Sequence, residues 1–137
     1  MAGKIVADTL EHSTAGSVNT NFVVEGVAKC WITHQHADTI DDSFNHSTLT
    51  DSGTGLFICN FTTNMASAKY ICGGGTGVYN SAGRGGDFVG MNMGGGSTDN
   101  RASDHCDVAV QVSSNASSNS ILSDRDWSMH IFHGDLS

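Results

Sequence analysis

The chain has no proline in 137 residues, only six basic side chains, and no long apolar run. Each shortage excludes something. Lys4, Lys29, Lys69, Arg84, Arg101 and Arg125 are scattered singly under a formal net charge of −8, so no stripe exists to neutralise a nucleic-acid backbone. The same shortage argues against an anionic membrane surface. No stretch approaches the roughly 18–20 apolar residues of a membrane-spanning helix. Charged residues make up only 15 % of the chain. Runs of Ala, Leu, Glu and Lys are almost absent, which disfavours helices. No heptad, collagen-like or β-helix period is present, which excludes a fibre shaft. The N-terminus lacks the basic head and apolar core of a signal peptide, so folding in a cytosol is expected.

What is present is glycine (17 residues), much Ser, Thr and Asn, and short apolar runs between them. At this length one domain can bury a core without a disulfide or a metal as staple. Cys30, Cys59, Cys72 and Cys106 are widely spaced with no C-x-x-C pair. Reduced, buried thiols are expected in a cytosolic fold, although four cysteines leave three pairings open.

The stretch Asp41–Thr63 organises the rest. It reads as two short strands around the turn Asp51-Ser52-Gly53-Thr54-Gly55, with Phe57, Cys59 and Phe61 on one face and Leu56, Ile58 and Asn60 on the other. Val27–Gln35 reads as a strand with Ala28, Cys30 and Ile32 on one side and Trp31 on the other. Further strands are expected over Lys69–Gly73, Asp87–Met93, Cys106–Ser113 and Asp126–Gly134. In the last, Trp127, Met129 and Ile131 alternate with Ser128, His130 and Phe132. Residues 73–86 read as a long glycine-rich loop, and 114–123 as a polar one. Short strands at regular spacing with turn residues between them predict an all-β, antiparallel β-sandwich of jelly-roll-like form over residues 27–137. Residues 1–26 read as an extended arm, with Ile5-Val6 and Phe22–Val24 better suited to strands than to a helix. An arm without a complete apolar face docks on something else, a sister subunit or a larger assembly.

Two site readings follow. Ile5, Val6, Leu10, Phe22 and Val24 in the arm, with Trp31, Leu56 and Ile58 on faces turned from the core, are candidate interface residues. A long loop of the same chain would cover the last three equally well. His34-Gln35-His36 places two imidazoles on one side of a strand, where both could reach one metal ion; an exposed pair beside an acidic loop is the alternative. His130 and His133 share no strand face, and adjacency rules out joint coordination by Asp104-His105-Cys106-Asp107. No nucleophile elbow, P-loop, H-E-x-x-H or dinucleotide fingerprint occurs, so a non-enzyme without a cofactor is expected. The glycine runs at 73–77 and 94–96 lack a following helix and read as turns or closely packed backbone.

The segments AKCWIT (28–33) and DSFNHSTLTDSGTGLFICNFTT (42–63), with the closing DWSMHIFHGD (126–135) and the opening KIVADTL, resemble a recurring domain of bacteriophage virion proteins. Such domains occur in tail-fibre-like and capsid-associated knobs of marine phages. The resemblance covers nearly the whole chain but departs at Thr33–Asp38 and in residues 73–96. It implies a homotrimeric β-rich knob in the virion, a capsid decoration or short fibre attached to the major capsid or tail protein through its N-terminal arm. It also implies an alternative, a receptor-binding tip that recognises host-surface glycans. On a trimer axis, three copies of His34 and His36 would offer six nitrogens to one metal ion.

Overall fold

A computed structural model describes residues 3, 6–35, 39–77, 88–91, 101–113 and 120–137, the side chains of 88–91, 112–113 and 120–121 excepted. The chain forms β1 (Thr9–His12), β2 (Gly16–Asn19), α1 (Thr20–Gly26), β3 (Cys30–Gln35), β4 (Thr39–Phe44) and β5 (His46–Gly53). These are followed by β6 (Leu56–Phe61), β7 (Ile71–Gly77), β8 (Phe88–Met91), β9 (His105–Ser113), β10 (Ser120–Leu122) and β11 (Trp127–His133). All named pairings are antiparallel. One sheet has the order β4-β3-β11-β7. A second has the order β10-β9-β6-β5, with β8 also on β9, and β1 and β2 form a separate two-stranded sheet apart from these two. The two sheets enclose Cys30, Ile32, Phe57, Cys59, Phe61, Met65, Tyr70, Cys106, Val108, Val110 and Phe132. The expected all-β sandwich is what forms.

The alternation read in β6 is the one observed: Phe57, Cys59 and Phe61 are buried, while Leu56, Ile58 and Asn60 are half-buried. The strand expected before it is in fact two. Asn45 adopts the left-handed conformation (φ 54) and turns the chain from β4 in one sheet to β5 in the other. Its side chain makes that corner stable, because Nδ2 donates to the Lys29 and Thr63 carbonyls and Oδ1 accepts from the Thr63 amide. Asparagine tolerates this backbone region better than most residues. At the expected β5–β6 turn, Gly55 also has positive φ (66), and a Cβ there would lie 2.6 Å from the Ser123 nitrogen and 2.7 Å from the Val110 oxygen.

Two expectations need correction. Residues 73–77 are not loop but most of β7, paired along β11 from Gly73↔Ile131 to Gly77↔Trp127. Closely packed backbone explains the glycines: a Cβ on Gly74 would collide with the Met129 carbonyl, and the Trp127 indole lies against Gly77. Phe22–Val24, expected in a strand, lies in the seven-residue helix α1 instead. The helix begins where Thr20 folds back on the residues before β1, its amide donating to the Asp8 carbonyl and its hydroxyl to the Ala7 carbonyl. This local closure overrides the weak β preference of Val23 and Val24.

Candidate functional site

Three arrangements stand out, and alternation along β3 and β11 produces two of them. Along β3, the side of Cys30 and Ile32 also carries His34, so His34 points between the sheets and is 1 % exposed. Along β11 the same rule turns Ser128, His130 and Phe132 inward and Trp127, Met129 and Ile131 outward. The inner and outer faces of this sheet therefore differ in an unusual sense.

On the inner face His34 and His130 meet directly. Their Nε2 atoms are 2.9 Å apart, the ring planes lie within 9° and the centroids are 5.0 Å apart. That combination of distances places the rings edge to edge, joined by one N–H···N bond. His34 Nδ1 lies 3.1 Å from the Gln35 carbonyl and donates to it, so its Nε2 accepts and His130 Nε2 donates. Both imidazoles are then neutral, and His130 Nδ1 is left without a hydrogen-bond partner. The Phe57 ring packs edge-on against His34 at 4.8 Å. Burial pushes His130 down to about 3, helped by the positive charge that His34 or His46 would carry. His46 is lowered as well, by burial and then by His34, and neither of its ring nitrogens has a hydrogen-bond partner. A β-bulge lies beside each of His34 and His46, where the β3–β4 and β5–β6 registers slip.

The second arrangement is made of thiols. Cys59 and Cys106 are direct partners across β6 and β9, and Cys30 and Cys72 flank Phe132 on the facing sheet. All four cysteines are free. The Phe61–Asp104 and Gly55–Val110 bonds fix the β6–β9 ladder so that Cys59 and Cys106 form a hydrogen-bonded pair. In such a pair the Cα atoms stand roughly 5.5 Å apart and the side chains are further apart than in a non-hydrogen-bonded pair. Burial pushes the Cys30 thiol up to about 12 and raises Cys59 as well. A hydrogen bond with Cys106, followed by burial, raises Cys72. Protonated thiols such as Cys30, Cys59 and Cys72 are poor nucleophiles, whereas the hydrogen bond from Cys72 lowers Cys106. Beside them Phe61, Tyr70 and Phe132 form a triangle of edge-to-face rings with centroids 5.2–6.2 Å apart. The Tyr70 hydroxyl donates towards the His105 carbonyl at 2.7 Å and the Ala102 carbonyl at 3.1 Å.

The third arrangement is the outer face of the β4-β3-β11-β7 sheet. Trp31, Phe44, Trp127, Met129 and Ile131 project from it, and Phe44 is 53 % exposed. Because β7 contributes glycines opposite β11, no side chains rise there to shield its apolar row. A cleft of about 200 Å³ between Trp31, Thr33, Gly74, Met129 and Ile131 runs along this face.

The candidate interface residues are distributed as follows. Val6, Leu10, Phe22 and Val24 are exposed in the N-terminal module; Ile5 lies outside the described residues. Trp31 belongs to the outer face of one sheet, whereas Leu56 and Ile58 belong to the outer face of the other, where Ile58 pairs with Asp107 and Leu56 with Ala109. They form two patches on opposite sides of the sandwich, not one. His34 is interior and bonded to His130, and His36 lies outside the described residues. Among the described residues no group of three or more His, Cys, Asp or Glu is placed to hold a metal ion.

Sequence reasoning passed over Trp127, Met129 and Ile131 as surface residues and His130 as the partner of His34. The signal for His34 was available, because Ala28, Cys30 and Ile32 extend by twos to residue 34. For β11 the alternation gives two sets but not which one is inside, since both contain apolar residues. No protein-family model, curated protein or solved structure matches the chain.

Proposed function

We propose that this protein is a non-enzymatic structural component of a bacteriophage particle, a trimeric capsid decoration or short-fibre knob that attaches through its N-terminal module. The particle context rests on the likeness of residues 28–63 and 126–135 to virion knobs. The observation that carries the assembly reading is the N-terminal module itself. β1, β2 and α1 contain no buried residue, and the main packing partner of α1 is β2. A lone two-stranded hairpin is marginal in water, and a seven-residue helix is far shorter than the roughly 12–15 residues at which isolated helices begin to persist. Apolar side chains at Leu10, Val18, Phe22 and Val24 gain nothing from this arrangement unless another surface covers them. Attachment of this kind requires buried area and shape rather than reaction chemistry.

Native mass spectrometry of the full chain at micromolar concentration tests the reading. A trimer is the expected result. A chain that stays monomeric at every concentration would overturn self-assembly, and with it the knob.

A further inference from the structure

Two of the four thiols meet across the sandwich rather than along a strand ladder. We propose that Cys72 and Cys106 form a reversible disulfide that ties β7 to β9, with a hydroperoxide as the oxidant. The inference does not depend on the assembly reading above.

Strand register brings the two together. Cys30, Phe132 and Cys72 form one row across β3, β11 and β7, and all three turn into the core because direct partners share a face. Cys59 and Cys106 form the facing row on β6 and β9. The sheets converge on this side, where β7 lies against β8, the neighbour of β9. Beside the two cysteines the strands are pinned. Arg101 Nη1 donates to the Tyr70 carbonyl at 2.8 Å, and the Tyr70 hydroxyl reaches the His105 carbonyl at 2.7 Å. Arg101 also forms a β-bridge with Cys106 itself. At this approach the Cys72 thiol is hydrogen-bonded to Cys106 Sγ. The influence of Cys106 on Cys30 and Cys59 is electrostatic, without a hydrogen bond.

Reactivity and access coincide at the same pair. The hydrogen bond from Cys72 holds Cys106 below the ordinary thiol value against the opposing effect of burial, with help from the Tyr70 hydroxyl and the Arg101 guanidinium. Cys106 is thus the thiolate of the pair. Cys72 is the one cysteine of the four that is not fully enclosed. It lies on β7, an edge strand, so an oxidant about the size of water enters beside it.

Hydrogen peroxide meets that requirement. The Cys106 thiolate attacks one peroxide oxygen and the O–O bond breaks, leaving a sulfenic acid on Cys106. The departing hydroxide takes up the proton that Cys106 had released and becomes water. Cys72 then gives up its proton, and its sulfur attacks Cys106 Sγ, forming the S–S bond and breaking the S–O bond. The second hydroxide takes the Cys72 proton and leaves as water. Two thiols lose two electrons, and one peroxide is reduced to two waters.

Trypsin separates the possible pairings, because it cuts only after the six basic residues. Cys72 lies alone in peptide 70–84, Cys106 alone in 102–125, and Cys30 and Cys59 together in 30–69. Reduced full-length protein is treated with hydrogen peroxide, free thiols are alkylated, and the digest is weighed without reductant. Peptides 70–84 and 102–125 should appear linked, lighter than their sum by two hydrogens, while 30–69 carries two alkyl groups. Dithiothreitol should separate the linked pair. The oxidised protein should unfold at a urea midpoint roughly 1–2 M higher, because the crosslink closes the loop 73–105 in the unfolded chain. Cys72→Ser, checked for an unchanged circular dichroism spectrum, should form no crosslink and keep its midpoint after peroxide. A link between 30–69 and 102–125 would overturn the proposal by naming another partner for Cys106. Oxidation of Cys106 to a sulfinic acid without a disulfide, or a crosslink formed only in unfolding urea, would overturn it as well.

Discussion

β6 and β11 face each other across one core and obey opposite rules. β6 turns Phe57, Cys59 and Phe61 inward and meets the other sheet with rings and a thiol. β11 turns Ser128 and His130 inward beside Phe132 and presents Trp127, Met129 and Ile131 to the outside. In β6 the hydrophobic effect within one chain accounts for the alternation. In β11 it does not, because the larger apolar set is outside. Burying the smaller, polar set is eased by partners for all but one of its polar atoms: His130 Nε2 bonds to His34 and the Ser128 hydroxyl lies 3.0 Å from that of Thr76, while His130 Nδ1 has none. Among the described residues nothing fully covers the outer row, whose Trp127, Met129 and Ile131 are half-buried at 39–43 % exposure, so packing between the two sheets alone does not account for the sense of β11.

The sharpest way to break this comparison is to remove one large side chain from each strand. Phe57→Ala deletes a ring that is 2 % exposed and packed on His34, and should cost about 3–5 kcal/mol. Urea unfolding, followed by circular dichroism at a concentration too low for assembly, measures it. A loss below about 1 kcal/mol would mean that the sandwich is not closed around β6.

How legible this was in the sequence follows from the same two strands. The β6 pattern is legible as a period of two after a glycine turn with both aromatic rings in one set, although Leu56 and Ile58 make the other set apolar as well. β11 shows the right period, but Phe132 on one side and Trp127, Met129 and Ile131 on the other leave the inward side undecided. The strand through residues 73–77 was hidden because glycine normally signals a loop; only the proximity of the β11 backbone and of Trp127 gives those glycines a reason. The split at Asn45 was hidden because one left-handed residue interrupts an otherwise continuous β-like run. The assembly of four cysteines was invisible, because they lie on β3, β6, β7 and β9 and meet only through the sheet order.

The inner face of β11 predicts a second, smaller effect that depends on pH. The unfolded chain binds a proton at His130 near the ordinary value of 6.5, whereas the folded chain resists it down to about 3. Protons therefore favour the unfolded state between those values: stability is fully present above pH 6.5 and falls as the pH drops towards 3. The loss from His130 alone should be roughly 2 kcal/mol between about pH 7.5 and about pH 5. His46 shifts in the same direction and adds to it. Urea midpoints across this range measure the slope. The double variant His34→Leu with His130→Leu replaces the bonded pair by apolar groups and should flatten it while keeping the fold. A slope unchanged in the double variant would place the acid sensitivity elsewhere.

Ser128→Ala tests whether the remaining polar contact on that face is worth anything. The hydroxyl is 2 % exposed with its residue and meets Thr76, whose own hydroxyl also donates to the Trp127 carbonyl at 2.8 Å. Thr76 keeps that second partner when Ser128 is shortened, so no buried group is orphaned. The cost should be about 1 kcal/mol, read from the same urea curves. A cost above roughly 3 kcal/mol would show that the hydroxyl supports more than one neighbour.

The smallest effect on the isolated chain is expected on the outer row, and it separates the two explanations of β11 most cleanly. Ile131→Ser removes a side chain that is 39 % exposed and opposes Gly73 and Trp31, so a lone sandwich should lose less than about 1 kcal/mol. If a second copy covers the row, the same change weakens assembly, and the concentration at which half the chains associate should rise by roughly tenfold or more. Analytical ultracentrifugation across a dilution series reads this shift, and urea unfolding of the dilute protein reads the other effect. A large loss in the dilute chain with unchanged association would mean that the outer row is covered from within, and β11 would then follow the same rule as β6.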